Sequence, residues 1–430
     1  MLICSHLFAA TLVSDKDKIR ESCLSIEHAY LKEAFFLTQN TVGFTAAISG
    51  RSYGYITVGM YESLVDMIPE LTSLDGQLKE YVRPKVKSKK VNWMIVANET
   101  DYQLLSYFYR AMPPSNQKHL YALYDSIQQK FSLQEKKKTV ERSKKYAKTI
   151  SDAIIAWSKK DGGDDGFERN YPPDFEPETC LSCWSRTFPG YLTAQVPFWG
   201  TNRPMLSGSQ NVAADLEIFP FDTVPETLMY NEALSVLENS KKDNPKYEII
   251  AEYWNDAAGY SGTPSGHFFT IAQHVAIQQD ITLDKALELY VKLGVAVNEA
   301  FISSFGLKYK FNFIRPITYI QRYIDPNFNS RLASPPFPEF PSGHSFQSGA
   351  ASEVMKSIFG DTTTFTDYTN SPRKDIDGNP RTYSSFTEMS EEISISRFYG
   401  GIHFRKTLDI SLEYGRKIGR YVSIELKCRK

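Results

Sequence analysis

Hydrophobic side chains recur at spacings of three and four residues along several stretches of the chain, which is the period of an amphipathic α-helix. The pattern is clearest in NETDYQLLSYFYRAM (98–112), LDKALELYVKLGVAVNEAF (283–301) and TLDISLEYGRKIGRYVSIEL (407–426). The positions that carry it are Tyr102, Leu105, Tyr109 and Met112, then Leu283, Leu287, Tyr290, Gly294 and Val297, and finally Leu408, Leu412, Gly415, Ile418 and Val422. Alternating patterns typical of β-strands are scarce, and neither a GxGxxG motif nor a P-loop occurs. The sequence therefore predicts an all-α protein.

Two long segments lack this periodicity. The first runs from Lys160 to about Pro225 and is rich in glycine, proline and aromatic residues, and the second is TNSPRKDIDGNPRTY (369–383). An irregular stretch as long as the first is unusual within a compact domain, and such stretches are generally functional or wrap around the rest of the molecule. We therefore expect helices joined by long irregular connections.

The overall composition is that of a globular protein. Of the 430 residues, 42% are hydrophobic and 23% are charged, and 49 Lys and Arg against 50 Asp and Glu give a net charge of −1. This balance gives no reason to expect a nucleic acid as a partner. No apolar stretch approaches the ~18–20 residues that span a bilayer, so no membrane span is expected.

Two local features bear on the cellular compartment. The N-terminal stretch LICSHLFAATLV (2–13) has the length of a signal-peptide core, although no Lys or Arg precedes it. Interpreted as an export signal, it predicts a periplasmic or extracellular location. Cys180 and Cys183 form a lone CxxC pair. Because a structural zinc site needs four ligands, the pair is expected to be a disulfide or two free thiols.

The tetrapeptide Pro-Ser-Gly-His occurs twice, at 264–267 and at 341–344. A helical stripe follows the second copy, so His344 is predicted at a helix N-terminus, where unpaired backbone N–H groups and the helix dipole favour an anion. Ser342 adds a hydroxyl group, and Gly343 lets the backbone approach a ligand closely. The second copy therefore predicts an anion-binding turn beside a titratable imidazole.

Two further blocks supply positive charge. The block KYKFNFIRP contains Lys308 and Arg315, and the block SRFYGGIH contains Arg397 and His403. Guanidinium groups offer forked donors, an ammonium group offers a compact charge, and an imidazole can approach a tetrahedral oxyanion along its axis. Together with the anion-binding turn, these side chains predict a site for a phosphate-like oxyanion.

The three blocks, in this order, resemble the signature of the type 2 phosphatidic acid phosphatase and vanadium haloperoxidase superfamily, which reads K-x6-RP, then PSGH, then SR-x5-H-x3-D. The stretches RSYGYITVGMYESL (51–64) and PPFPEFPSGHSFQSGAA (335–351) also look similar to bacterial vanadium haloperoxidase-like proteins. The resemblance implies a helical bundle of the vanadium haloperoxidase and acid phosphatase type. Residues 240–430 would form the oxyanion-binding core, and residues 1–239 would form a helical region whose long connection packs on that core.

The resemblance also implies a role for each residue of the blocks. His403 would be the axial group, which ligates the metal of a bound vanadate in a haloperoxidase, and His344 would be the acid–base residue on the opposite side. The other donors would bind the equatorial oxygens of the oxyanion. These donors are Lys308, Arg315, Ser342, Gly343 and Arg397.

Three activities are compatible with such a site. A haloperoxidase would bind vanadate and oxidise a halide with hydrogen peroxide, and the product would react with a small organic acceptor. A soluble acid phosphatase would hydrolyse a phosphomonoester through a phosphohistidine at His403, so that phosphate is a substrate or a competitor of vanadate. A degenerate homologue would only bind phosphate. The long N-terminal region favours the haloperoxidase, and the sequence indicates neither the halide nor the oligomeric state.

Two positions complicate the match. The first Pro-Ser-Gly-His copy, with His267, has no flanking blocks of its own, so we expect a structural helix N-cap there, although His267 could line the cavity. The family pattern places Asp four residues after the axial histidine, where this chain has Thr407, and Asp409 lies on another helix face. We therefore expect His403 to be less basic, with a backbone carbonyl orienting its ring.

Overall fold

The structure is a computed structural model that describes residues 14–133, 135–241 and 244–430. The segment interpreted as an export signal lies outside these residues. The described chain is mainly helical, which confirms the all-α prediction, and its only strands form one antiparallel hairpin. Within the described ranges, no helix combines the length and apolar character that a membrane crossing requires.

The helices form two groups along the chain, separated by the first irregular connection. The first group comprises α1 (Asp15–Gln39), α2 (Ala46–Leu64), α3 (Trp93–Phe108), α4 (Pro114–Ser132) and α5 (Lys137–Ser158). The second comprises α6 (Leu228–Lys241), α7 (Pro245–Tyr253), α8 (Ala258–Ser261), α9 (Thr263–Gln278), α10 (Leu283–Phe311), α11 (Pro316–Tyr323), α12 (Gly343–Phe359), α13 (Phe386–Tyr399) and α14 (Arg405–Glu425). The hairpin strands β1 (Phe365–Asp367) and β2 (Arg381–Tyr383) lie between α12 and α13.

The three stretches with the clearest periodicity form α3, α10 and α14. The 29-residue α10 is buried along most of its length and contains the whole predicted stripe. By contrast, α3 ends at Phe108, before Met112. Tyr109 leaves the helical conformation, and Pro113 and Pro114 disfavour helix in the residues before them.

Helix α10 lies at the centre of the molecule. It packs against α2 and α12, and α12 packs in turn against α14. The backbones of α12 and α14 meet at Gly415, where an added Cβ would overlap the carbonyl oxygen of Phe346. This contact joins the first turn of α12 to the middle of α14. The predicted site histidines His344 and His403 lie in the first turn of α12 and in the turn before α14. Buried side chains from both sides of residue 240 share one hydrophobic cluster, and the boundary between 1–239 and 240–430 stays a prediction.

The first irregular connection contains short 3-10 turns at Gly166–Glu168, Trp199–Thr201 and Ser209–Ala213. Between the first two of these turns, Cys180 and Cys183 form a disulfide. Of the two states expected for the CxxC pair, the structure therefore has the disulfide.

The disulfide loop contacts the backbone that leads into Arg315. The N–H group of Trp184 donates to the carbonyl of Asn312 at 2.8 Å, and the N–H group of Ile314 donates to the carbonyl of Ser182 at 2.9 Å. The irregular connection thus packs on the core beside Arg315, the predicted site residue that lies between α10 and α11.

Candidate active site

The residues of the three sequence blocks lie at the ends of five helices. Lys308 is in the last turn of α10, Arg315 directly precedes α11, and His344 is in the first turn of α12. Arg397 is in the last turn of α13, and His403 lies in the turn before α14. Four of these side chains are buried, whereas that of His344 is 24% exposed. The structure therefore gathers the blocks into one interior region with an opening at His344.

A carboxylate outside the three blocks orients His403. The Nδ1 atom of its ring lies 2.7 Å from Oε1 of Glu339, which also accepts the N–H group of Phe404 at 3.1 Å. Because Nδ1 donates to the carboxylate, the lone pair of Nε2 is directed away from it, towards Arg315 Nη1 at 3.3 Å. His403 thus presents one nitrogen atom of defined tautomer to the arginine.

Thr407 acts on this carboxylate rather than on the imidazole. Its hydroxyl donates to the other oxygen of Glu339, Oε2, at 2.9 Å. The expectation that a backbone carbonyl orients His403 is therefore wrong, because a buried carboxylate holds the ring. The pKa of His403 is well below its usual value, as expected, but the causes are burial and the nearby charges of Arg315, Lys308 and Arg397.

The two arginines have unused donors. Arg315 donates from Nε to the carbonyl of Phe337 at 3.0 Å and from Nη1 to the carbonyl of Ile402 at 2.9 Å. Arg397 donates from Nη1 to the carbonyl of Trp254. Among the described residues, Nη2 of Arg315 and Nε of Arg397 are buried without a hydrogen-bond partner. Buried donors of this kind are rarely left unpaired, so they indicate a missing acceptor.

Lys308 has a different environment from the arginines. Its Nζ atom donates to the carbonyls of Pro338 at 3.0 Å and Glu339 at 3.2 Å, and also to that of Pro341. Burial and the charge of Arg315 lower its pKa, and Glu339 opposes them. Lys308 therefore shapes the segment that leads into α12, and its expected contact with an oxyanion stays a prediction.

Ser342 and Gly343 form the start of α12. The Ser342 hydroxyl caps the helix by accepting the N–H group of Ser345 at 3.4 Å, and the Ser342 N–H group donates to Ser411 Oγ at 2.9 Å. The first N–H groups of a helix have no acceptor within it. A Cβ added at Gly343 would meet only Lys308 Cε, at 4.0 Å. The turn thus leaves open space beside the first N–H groups of α12, and anion binding at this turn stays a prediction.

His344 lies beside a carboxylate that the sequence did not indicate. Its Nε2 atom is 4.0 Å from Oδ2 of Asp256 and has no hydrogen-bond partner among the described residues. Burial and the charge of Arg397 lower the pKa of His344, whereas Asp256 acts in the opposite direction. The ring is therefore a neutral base next to a negative charge.

The first Pro-Ser-Gly-His copy does start a helix, as expected, but none of the described side chains caps it: α9 begins at Thr263 with Gly262 as the N-cap residue. His267 is fully buried, and its Nδ1 atom lies 2.7 Å from Oδ1 of Asp256. Asp256 thus lies between the histidines of the two copies, so His267 stands behind the site rather than lining it.

Sequence reasoning missed Glu339 and Asp256. Glu339 lies within the quoted stretch PPFPEFPSGHSFQSGAA, three residues before Ser342, and Asp256 lies eleven residues before His267. A search for carboxylates close to either Pro-Ser-Gly-His copy, and not only one helical turn after His403, would have found both.

The charges and open donors of this region suit a tetrahedral oxyanion. Burial and the charge of Arg397 lower the pKa of Arg315 to about 10 despite Glu339, and burial lowers that of Arg397 to about 10 despite Asp256. The cationic groups are thus desolvated, and the two carboxylates are already engaged by histidines. An anion with several oxygens would pair the free arginine donors and offset the excess positive charge, which fits vanadate and phosphate alike.

Comparisons with known proteins identify relatives that are vanadium-dependent enzymes. A family model for the VCPO second helical-bundle domain matches residues 324–427. The vanadium chloroperoxidase of Curvularia inaequalis is 25% identical over 197 residues, which cover 38% of this chain and 32% of that protein. The match thus spans about a third of the length of this curated relative.

Solved structures resemble almost the whole chain. The crystal structure of the first bacterial vanadium-dependent iodoperoxidase superposes with a TM-score of 0.85 at 28% identity, covering 95% of this chain and 97% of that one. A holo-type bacterial vanadium-dependent chloroperoxidase shares the fold with a TM-score of 0.66 at 16% identity, covering 90% and 92% of the two chains. These matches, together with the gathering of the three signature blocks, support placing the chain in the vanadium haloperoxidase-like superfamily.

Proposed function

We propose that this chain is a vanadium-dependent haloperoxidase that oxidises a halide with hydrogen peroxide. The net reaction is H2O2 + X⁻ + H⁺ → HOX + H2O, in which the halide loses two electrons and the peroxide O–O bond is cleaved. The observation that carries the proposal is the orientation of His403, whose Nδ1 is fixed by Glu339 at 2.7 Å while Nε2 faces Arg315. Relatives named as vanadium chloroperoxidase and iodoperoxidase support it.

Vanadate would be the cofactor in this pocket. His403 Nε2 would be the ligand to the metal, and the unpaired donors of Arg315 and Arg397 would bind oxygens of the anion. The N–H groups at Gly343 and His344 would add further donors at the start of α12. When bound, vanadate supplies a Lewis-acidic centre that activates hydrogen peroxide. Lys308 would support the pocket through its charge and through the carbonyls that it binds.

His344 would move the protons of the reaction. Its Nε2 atom has no hydrogen-bond partner within the described part of the chain, burial lowers its pKa so that the ring is neutral, and its side chain is partly exposed. The neutral ring can therefore accept a proton from incoming hydrogen peroxide. The imidazolium that results would be stabilised by Asp256. It would return the proton to the oxygen that leaves as water. The hypohalous acid would then transfer its halogen to a small organic acceptor.

The test compares three reactions in one preparation. Purified protein is stripped of oxyanions and assayed with and without orthovanadate, using hydrogen peroxide with iodide, bromide or chloride, and in parallel with a phosphomonoester. We expect vanadate-dependent halide oxidation, which His403→Ala abolishes and the substitution of an exposed histidine, His119→Ala, leaves intact. Phosphomonoester hydrolysis without halide oxidation would assign the site to a phosphatase, and vanadate binding without either reaction would assign it to a binding protein.

A periplasmic or extracellular location is part of the proposal. The Cys180–Cys183 disulfide supports it, because disulfides persist mainly in oxidising compartments. Immunodetection in fractionated cells of the source organism checks it, and recovery of the protein only from the cytosol would contradict it.

A further inference from the structure

The buried histidine of the first Pro-Ser-Gly-His copy has two carboxylate partners. His267 Nδ1 lies 2.7 Å from Asp256 Oδ1, and its Nε2 lies 2.7 Å from Asp367 Oδ2. We infer that His267 is a positioning residue: an imidazolium clamped between Asp367 and Asp256 that fixes the Asp256 carboxylate beside His344. The role in turnover rests on the proposed function, whereas the charge state of His267 does not.

The contacts of Asp367 show that this end of the clamp is rigid. Its Oδ2 atom also accepts the hydroxyl of Tyr253 at 2.8 Å, and its Oδ1 atom accepts the N–H group and the hydroxyl of Thr369 at 2.9 and 2.6 Å. Because Asp367 accepts all of these hydrogen bonds as a carboxylate, it also accepts the hydrogen bond from His267 Nε2. The Trp254 ring stacks on the imidazole at 4.6 Å and limits its rotation.

The geometry requires His267 to carry both ring protons. An acceptor carboxylate faces each ring nitrogen, so a neutral imidazole would leave one nitrogen lone pair against a carboxylate oxygen. Burial alone would lower the pKa of His267, but the charges of Asp367 and Asp256 outweigh it and raise the pKa to about 10. The charged and titratable groups that face this triad are His344 from α12, Arg397 from α13, His274 from α9 and Tyr253 from α7.

The clamp determines which oxygen of Asp256 faces His344. Because His267 occupies Oδ1 of Asp256, the carboxylate presents Oδ2 to His344 Nε2, at 4.0 Å. Such a gap closes by a small side-chain shift or by a bridging water. Without the cation, the buried Asp256 would take up a proton or turn towards Arg397, and His344 would lose its negative partner.

The charge state is tested by NMR on oxyanion-free protein labelled with 15N-histidine. The resonances of His267 are assigned by their loss in His267→Gln. We expect both ring nitrogens of His267 to remain protonated from pH 5 to pH 9. A transition near the ordinary histidine value of ~6.5 would overturn the clamp, whatever reaction the protein catalyses.

The role in turnover is tested with a matched pair of variants on α9. In His267→Gln we expect kcat for halide oxidation to fall by ~10–100-fold, while vanadate affinity and the KM for halide stay within about twofold. Ile277→Gln, at a 59% exposed position of the same helix, should leave all three unchanged. Asp256→Asn should lower kcat to the same extent, and the double variant should lose no more than either single one, because both changes break one unit.

Asp367→Asn provides a milder, near-isosteric disruption if His267→Gln does not fold, and should lower kcat in the same direction. Wild-type kcat in folded His267→Gln would overturn the proposal. Strictly additive losses in the double variant would do the same. Absence of halide turnover in the wild type would instead refute the proposed function, and the 15N measurement would then decide the clamp alone.

Discussion

Burial raises the pKa of Glu339 to about 7, so above that pH the substitution Glu339→Gln would remove a negative charge beside His403 with little change in side-chain shape. The amide oxygen of Gln can still accept from His403 Nδ1 and from the Phe404 N–H group. The amide nitrogen would face Thr407, whose hydroxyl can rotate from donor to acceptor. The hydrogen bonds are thus preserved, so a change in vanadate affinity can be attributed to the lost charge of Glu339.

Two effects of the lost charge oppose each other. A carboxylate behind a metal-binding histidine typically changes metal affinity by ~10–100-fold, and Glu339 is fully buried, so solvent does not screen it. Its removal also strengthens the positive field of Lys308 and Arg315, which attracts the oxyanion. Because both cations already engage backbone carbonyls, we expect the loss of electron donation to dominate and vanadate affinity to fall by ~10-fold, or ~1.4 kcal/mol.

Calorimetric titration of stripped protein with orthovanadate measures this change. The variant Thr407→Val removes the hydroxyl that holds Glu339 and should have a smaller effect. The double variant Glu339→Gln/Thr407→Asp returns a carboxylate to one helical turn after His403 and should recover most of the affinity. Wild-type affinity in Glu339→Gln, together with no gain in the double variant, would refute the electronic role of this carboxylate.

Three further outcomes follow from the same contacts. Thr407→Asp alone should destabilise the fold by ~1–3 kcal/mol in urea unfolding and should not tighten vanadate binding, because it places a second buried carboxylate against Glu339. Gly343→Ala should fold normally but weaken vanadate binding ~10-fold or more, since its Cβ would enter the open space of the pocket. Burial raises the pKa of Glu27 to about 8 beside Asp101. The folded state thus binds more protons than the unfolded state. The free energy of unfolding of the wild type, measured in urea, should therefore fall as the pH rises from 5 to 8, and that of Glu27→Gln should fall less.

Helix periodicity and motif spacing predicted the elements that carry the site. The apolar stripes gave α10 and α14, and the second Pro-Ser-Gly-His copy gave the N-terminus of α12 with His344 in its first turn. These features depend on neighbours within about one helical turn, which a sequence displays directly. The end of α3 was misplaced because the apolar stripe continues through Tyr109 and Met112 after the backbone has left the helix.

The partners of the two histidines could not be predicted in the same way. Glu339 is 64 residues from His403 and approaches it from an irregular segment. Asp256 lies in the connection before α8 and has a positive φ of 50°, an uncommon conformation that Asp tolerates better than most residues. A rule based on helical spacing looks for the carboxylate only at residue 407. It therefore predicted that His403 lacks a carboxylate partner, whereas the fold supplies Glu339 from another segment.

The two carboxylates differ in a way that suits the proposed roles of the two histidines. A metal ligand must keep one tautomer, and Glu339 contacts His403 directly at 2.7 Å. A proton carrier must change its protonation state during turnover, and Asp256 stands 4.0 Å from His344 while its other oxygen is bound by His267. Direct contact with Asp256 would hold His344 in its protonated form, and distance from Glu339 would let the His403 ring rotate. The unequal distances therefore give one histidine a fixed lone pair and leave the other free to take up and release a proton.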